Sequence, residues 1–155
     1  MSNTSPISEE DGIVLEISRH LKAPRQRVFE AWSSLDALKQ WFGPEGCVVA
    51  EGNVDFQVGG QYRLEVETPD SGRVAVSGAY TEIDPPKSIA FTWKWEHSED
   101  EEMQVRIDLV EAGENETDLQ LTQTNFPDRE TAEHHTQGWG GSFDKLVPVA
   151  EGSTK

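Results

Sequence analysis

From Val48 to Leu121 the chain alternates apolar and polar residues with a period of two, and this restricts the fold more than any other feature. Val48, Ala50, Val54 and Phe56 interleave with Val49, Glu51, Asn53 and Asp55. After Gly59-Gly60, Tyr62, Leu64 and Val66 interleave with Arg63, Glu65 and Glu67. Pro69-Asp70-Ser71-Gly72 is a hairpin signal; Val74, Val76, Gly78 and Tyr80 follow it, and Asp84-Pro85-Pro86 ends that segment. Ile89, Phe91, Trp93 and Trp95 come next, then Met103, Val105, Ile107 and Leu109, then Leu119 and Leu121. An earlier segment, 13–22, sets Ile13, Leu15 and Ile17 against Glu16 and Ser18. Short turns between such segments predict a largely antiparallel sheet of about six to seven strands.

A sheet with one apolar face must cover it, and one stretch is long enough to do so. Between Asp128 and Val147, Ala132, His135, Trp139, Phe143 and Leu146 recur at helical spacing and line one face. Asp128, Glu130 and Glu133 near its start and Lys145 near its end suit the helix dipole. Pro127-Asp128 is the expected start and Pro148 the expected stop. Gly138, Gly140 and Gly141 each weaken a helix by about 1 kcal/mol relative to Ala. They imply either close helix-on-sheet contact or a gap beside Trp139.

Two shorter helices are expected after the first long strand. Ala23-Pro24 opens one that buries Val28, Ala31 and Trp32. Ser34 caps a second bearing Leu35, Leu38 and Phe42, which Gly43-Pro44-Glu45-Gly46 ends. The predicted fold class is α+β: a curved antiparallel sheet gripping a long C-terminal helix, with the short helices closing one end. A single domain is expected over 12–150, between a disordered arm at 1–11 and a disordered tail at 151–155.

Composition narrows the function classes. The 155 residues suit one domain with its own core. Thirteen basic against 29 acidic residues give a net charge of −16, which argues against nucleic acid and anionic membranes as partners. Acidity on this scale aids solubility or reflects a salty cytoplasm; a basic protein partner is the lesser alternative. No apolar run is long enough to cross a membrane, and Met1–Asp11 lacks the hydrophobic centre of a signal peptide. The lone Cys47 cannot form an internal disulfide, so the expected compartment is the cytoplasm.

Chemistry-bearing residues are of four kinds. Most of the aromatic residues fall on predicted inward faces, and five Trp are hard to pack solidly in so small a domain. Gln123 and Asn125 continue the inward side of the last strand, Arg19 lies on the inward side of the first, and His135 sits on the helix stripe. Such polar groups either satisfy one another or face a ligand. His134 and His135 are adjacent and do not chelate as an i, i+4 pair would, so no metal is expected. The run from Glu96 to Glu102 is most simply a solvated hairpin loop. No phosphate loop, nucleophile elbow or dinucleotide fingerprint occurs, and neither a cofactor nor a catalytic residue is assigned. The candidate ligand-binding residues are Trp41, Phe56, Tyr62, Tyr80, Trp93, Gln123, His135 and Trp139, around a cavity for a small hydrophobic or aromatic molecule.

Five stretches in order carry a resemblance: Arg19 to Pro24 with Val28 to Trp32, Trp41 to Pro44, Gly59-Gly60, Gly78 to Pro86, and His135 to Trp139. They resemble the Hsp90-ATPase-activator-homologue (AHSA1-like) branch of the START/polyketide-cyclase (Bet v 1-like) superfamily, over about 13–147. The resemblance implies the helix-grip fold, with a cavity between sheet and terminal helix. Its members include domains of a chaperone activator, and the superfamily includes lipid carriers, hormone receptors and aromatase/cyclase enzymes. The expected protein is the stand-alone form, lacking the chaperone activator's additional N-terminal domain, which speaks against Hsp90 stimulation. Three functions stay open: a small-molecule-binding domain, a chaperone-associated or regulatory protein-binding module, and a cyclase/dehydrase-like enzyme. A protein partner or a homodimer is compatible with the first two.

Overall fold

The computed structural model describes residues 7–8, 12–43, 46–69, 72–96 and 102–151. In chain order the elements are β1 (Ile7–Ser8), β2 (Val14–Leu21), α1 (Arg25–Glu30), α2 (Leu35–Leu38), β3 (Val48–Val54), β4 (Gln61–Thr68), β5 (Gly72–Asp84), β6 (Ser88–Trp95), β7 (Met103–Gly113), β8 (Glu116–Thr124) and α3 (Arg129–Glu151). The strands form one sheet in the order β1-β2-β8-β7-β6-β5-β4-β3, with every neighbouring pair antiparallel. Seven strands are those the alternation predicts. The eighth is the two-residue β1, where Ile7 and Ser8 of the expected arm pair with Leu15 and Val14. The rest of that arm, the hairpin tip Asp70-Ser71 and most of the acidic run, 97–101, lie outside the described residues, as do 152–155 of the tail.

The inward positions behave as a period of two requires. Leu64, Val76, Ile89, Val105, Ile107, Leu119 and Leu121 are buried beneath α1, α2 and α3. β3 departs from this rule. Val48, expected inside, is 53% exposed, while Val49, expected outside, is 6% exposed. Val49 pairs with Val66 and Glu51 with Glu65, so Ala50 is an extra residue in the ladder. This bulge reverses the faces before it and leaves those after it, such as Val54, as alternation predicts. Asn125 also departs from expectation. β8 ends at Thr124, Asn125 turns with φ 72°, and its amide donates to the Glu102 carbonyl at 2.7 Å. Phe126 takes the inward place instead.

The short helices form where their signals lie. Ser34 Oγ accepts the Ala37 amide at 3.1 Å and caps α2, while Pro24 opens α1 without a side-chain cap. Asp128 caps α3, accepting the Thr131 amide and hydroxyl, both at 2.8 Å. Those bonds hold its carboxyl below the usual carboxylate range. The other end corrects the expected stop, because α3 continues through Pro148 to Glu151. Proline costs that turn one backbone hydrogen bond. The turn is held from outside, where Arg27 Nη1 donates to the Ala150 carbonyl at 3.3 Å and the Lys22 amide to Glu151 Oε2 at 2.9 Å. Among the described residues, no helix is long and apolar enough to cross a membrane.

Candidate functional site

The backbone of α3 comes nearest the sheet at β2 and β1. Gly140 marks this approach. A Cβ built there would lie 4.0 Å from Arg19 Nη2, which itself reaches the Gly140 carbonyl at 3.5 Å. Arg19 Nη1 pairs with Asp144 at 2.8 Å, and the guanidinium lies 5.9 Å from the centre of the Phe143 ring. The inward-facing charge of β2 therefore ends on the helix rather than in a cavity. Gly138 is the opposite case: a Cβ there would meet nothing within 4 Å. A Cβ at Gly140 would make only ordinary contact with the end of the Arg19 side chain, so glycine is not required there for close packing, whereas Gly138 borders open space as the gap interpretation expects.

The open space is a half-open cavity of about 400 Å³. Phe42, Gly43 and Cys47 bound it from the segment after α2; Val66 and Thr68 from β4; Val74 from β5; and Trp93 and Trp95 from β6. Thr131, His134, His135, Gly138, Trp139 and Ser142 close it from α3. Its walls are largely apolar rings. Trp93 packs against Trp139 and Trp95, with centroids 5.3 Å apart in each case, and against Phe42 at 6.0 Å.

One hydrogen-bond network fixes the inner wall. Trp95 Nε1 donates to His135 Nε2 at 3.1 Å. An indole nitrogen can only donate, so Nε2 must accept and the imidazole proton resides on Nδ1. Nδ1 then donates to Gln123 Oε1 at 3.2 Å, and Trp139 Nε1 donates to the same oxygen at 2.9 Å. Gln123 Nε2 is directed at Met103 Sδ, 3.5 Å away. Burial, and secondarily the charge of His134, pushes the His135 pKa down to about 4. His135 is thus a neutral imidazole with both nitrogens engaged. Two other indole N–H groups, those of Trp32 and Trp93, are buried and have no partner among the described residues.

Of the eight residues expected to line a cavity, three do: Trp93, His135 and Trp139. Gln123 is wholly buried behind them and orients two of the three. Trp41 is also wholly buried, in the core under α1, with its Nε1 donating to the Ala31 carbonyl at 3.0 Å. Phe56 packs edge-on against Phe29 and Tyr80. Tyr62 and Tyr80 border a separate recess of about 20 Å³, roughly the space of one water molecule. Tyr62 is anchored there, donating to the Thr92 carbonyl at 2.6 Å. Desolvation raises both phenol pKa values. These four aromatic residues lie away from the cavity walled by Trp93 and Trp139, and Tyr62 also borders a separate depression of about 410 Å³ with Arg63, Ser77 and Lys94.

The sequence reading missed other wall residues. Ser142 follows Trp139 by three positions and Gly138 by four, so helical spacing alone places it on the cavity side. Its Oγ accepts the Gly43 amide and donates to the Gly138 carbonyl, both at 2.9 Å. Val74 sits at an inward position of the alternation, but no pattern singles out Cys47 and Thr68; the hairpin and the segment after α2 bring all three there. Among the described residues, no group of His, Cys, Asp and Glu could hold a metal ion.

The family described as Activator of Hsp90 ATPase homolog 1-like protein matches residues 22–151, which hold both short helices, the six strands β3 to β8 and all of α3. The chain belongs to the AHSA1-like family. A protein of Chromobacterium violaceum is similar at 31% identity, covering 89% of this chain and 97% of that one, with a TM-score of 0.77. The AHSA1 protein of Silicibacter pomeroyi is similar at 30% identity over 88% and 96% of the two chains, with a TM-score of 0.75. A Rhodobacter sphaeroides protein, at 18% identity over 96% and 99%, shows the shared fold alone, with a TM-score of 0.78. No curated protein matches the sequence. The AHSA1-like assignment agrees with the Bet v 1-like architecture: an antiparallel sheet, two short helices after its first long strand, and a long terminal helix packed on it.

Proposed function

We propose that this AHSA1-like domain binds a small hydrophobic or aromatic molecule in the cavity between the sheet and α3. The observation that carries the proposal is the half-open cavity of about 400 Å³, walled by Phe42, Trp93, Trp95 and Trp139. That volume lies within the range of small-molecule sites, and flat rings offer large contact area to an apolar guest. Trp93, Trp139 and His135 form the contact wall, and Gln123 holds two of them in place. The proposed activity is binding without catalysis. His135 is the best-placed acid or base, yet its two nitrogens are committed to Trp95 and Gln123, and it is neutral at physiological pH.

Native mass spectrometry of freshly purified protein tests the proposal by revealing a co-purified small molecule. Titration with the neutral dye Nile red is the companion measurement. Saturable one-to-one binding is expected, with blue-shifted emission. No saturable binding and no bound molecule would remove the basis for this function.

A further inference from the structure

Resting on the cavity-binding proposal, we infer that the ligand lies with an apolar ring system inside and an uncharged oxygen acceptor at the mouth, where His134 donates to it and sets the specificity. Exposure grades the walls. Phe42, Cys47, Val66, Trp93, Trp139 and Ser142 are buried and form the floor. Thr68, Val74, Trp95, Thr131 and Gly138 are half-buried, and His134 is exposed, so these residues form the rim. The mouth therefore lies between the β4–β5 hairpin and the first half of α3. Thr131, His134, His135, Gly138, Trp139 and Ser142 recur three or four apart on one helix face, with His134 at its solvent edge.

The side-chain donors of the walls separate floor from rim. Ser142 donates to the Gly138 carbonyl, and His135 and the indoles of Trp95 and Trp139 are committed to the network described above. The Trp93 nitrogen is fully buried and presents no surface to a guest. The floor keeps only the Cys47 thiol, a weak donor. An acceptor placed on the floor would lose its water without gaining a strong donor. At the rim, Thr68 donates to the Gly72 carbonyl and Thr131 to Asp128, both at 2.8 Å. His134 enters no hydrogen bond among the described residues. Its imidazole carries at least one N–H whether neutral or protonated, so it is a donor in either state.

Charge narrows the choice further. No Asp, Glu, Lys or Arg lines the cavity, so an ammonium group has no carboxylate in the walls to pair with. Asp128, Glu130 and Glu133 stand in the first turns of α3 beside His134 and repel an anionic end. An uncharged carbonyl-type oxygen remains, on a flat body that packs against Trp93 and Trp139.

Two matched probes test this, 2-acetylnaphthalene and 2-isopropenylnaphthalene, which share a shape and differ in the ketone oxygen that a methylidene group replaces. Affinities for the full chain are read by Nile red displacement and calorimetry. His134→Ala and His134→Gln alter an exposed side chain and should keep the wild-type Tm. The ketone-to-alkene affinity ratio should fall about fivefold in His134→Ala, the share of one partly hydrated neutral hydrogen bond. His134→Gln keeps an N–H donor and should restore the ratio. A second readout needs no variant: nuclear Overhauser contacts should join the acetyl methyl to His134, and the naphthalene protons to Trp93 and Trp139. A ratio unmoved by His134→Ala, or acetyl contacts to Cys47 or Ser142 on the floor, would overturn the inference. So would failure of both naphthalenes to bind where Nile red binds. In each of those cases Nile red binding leaves the cavity proposal standing. If Nile red and both naphthalenes fail to bind wild type, both fall together.

Discussion

Gln123 Oε1, on β8, accepts the indole N–H of Trp139, on α3, at 2.9 Å, in a region where Gln123 is wholly buried. This bond joins sheet to helix beside the cavity. The same oxygen also receives the Nδ1 proton of His135, one helical turn earlier. A single amide therefore sets the orientation of two cavity-wall side chains.

Replacing Gln123 by Leu should be far worse than its similar size suggests. It would leave two buried donors, Trp139 Nε1 and His135 Nδ1, without an acceptor, at about 1–3 kcal/mol each. The expected loss in urea unfolding is about 2–5 kcal/mol. A loss below about 1 kcal/mol would mean that the network does not hold the helix to the sheet.

Gly138 separates stability from binding. A Cβ there meets nothing within 4 Å, so Gly138→Ala should stabilise the protein by about 0.5–1 kcal/mol through helix propensity alone. Gly138→Leu extends into the cavity and should lower Nile red affinity at least tenfold while the circular dichroism stays native. Undiminished dye binding in a folded Gly138→Leu protein would place the dye elsewhere.

The bulge at Ala50 makes neighbouring valines unequal. Val49→Ala removes two buried methyl groups and should cost about 2 kcal/mol. Val48→Ala, at a position 53% exposed, should stay within about 0.5 kcal/mol of wild type. The reverse order, with Val48→Ala the costlier, would show that strict alternation continues through β3.

Two histidines should give the pH profile of stability opposite slopes. His135, with its pKa lowered to about 4, stays neutral while the unfolded chain takes up a proton below about 6.5. Its contribution is complete above pH 6.5, and about 3 kcal/mol is lost as the pH falls to 4. His20 is held between Asp118 and Glu116 at 2.7 and 2.8 Å, and those two hydrogen bonds raise its pKa. Its contribution is present below about 6.5 and disappears as the pH rises through its raised value. Urea titrations of His135→Gln and His20→Gln from pH 4 to 9 separate the two. A His135→Gln protein with the wild-type slope between pH 4 and 6.5 would contradict the neutral imidazole.

Local sequence determined the α+β class, the inward faces from Tyr62 to Leu121, the Ser34 and Asp128 caps and the apolar stripe of α3. Each follows from a period or from a side chain bonding to backbone a few residues away, and such interactions are written in adjacent residues. Tertiary structure decided the rest. It placed a bulge at Ala50, turned Asn125 outward and carried α3 past Pro148 on bonds from Arg27 and Lys22. It also set Gly140 against Arg19 and Gly138 against open space, although the two glycines are chemically identical. Alternation states which way a ring points and says nothing of how far away the opposing element stands. Trp41 and Trp93 are both buried, yet Trp41 is enclosed beneath α1 while Trp93, packed against Trp139 and His135 of α3, borders the open space beside Gly138, and that difference, created by residues remote in the chain, makes one core and the other a cavity wall.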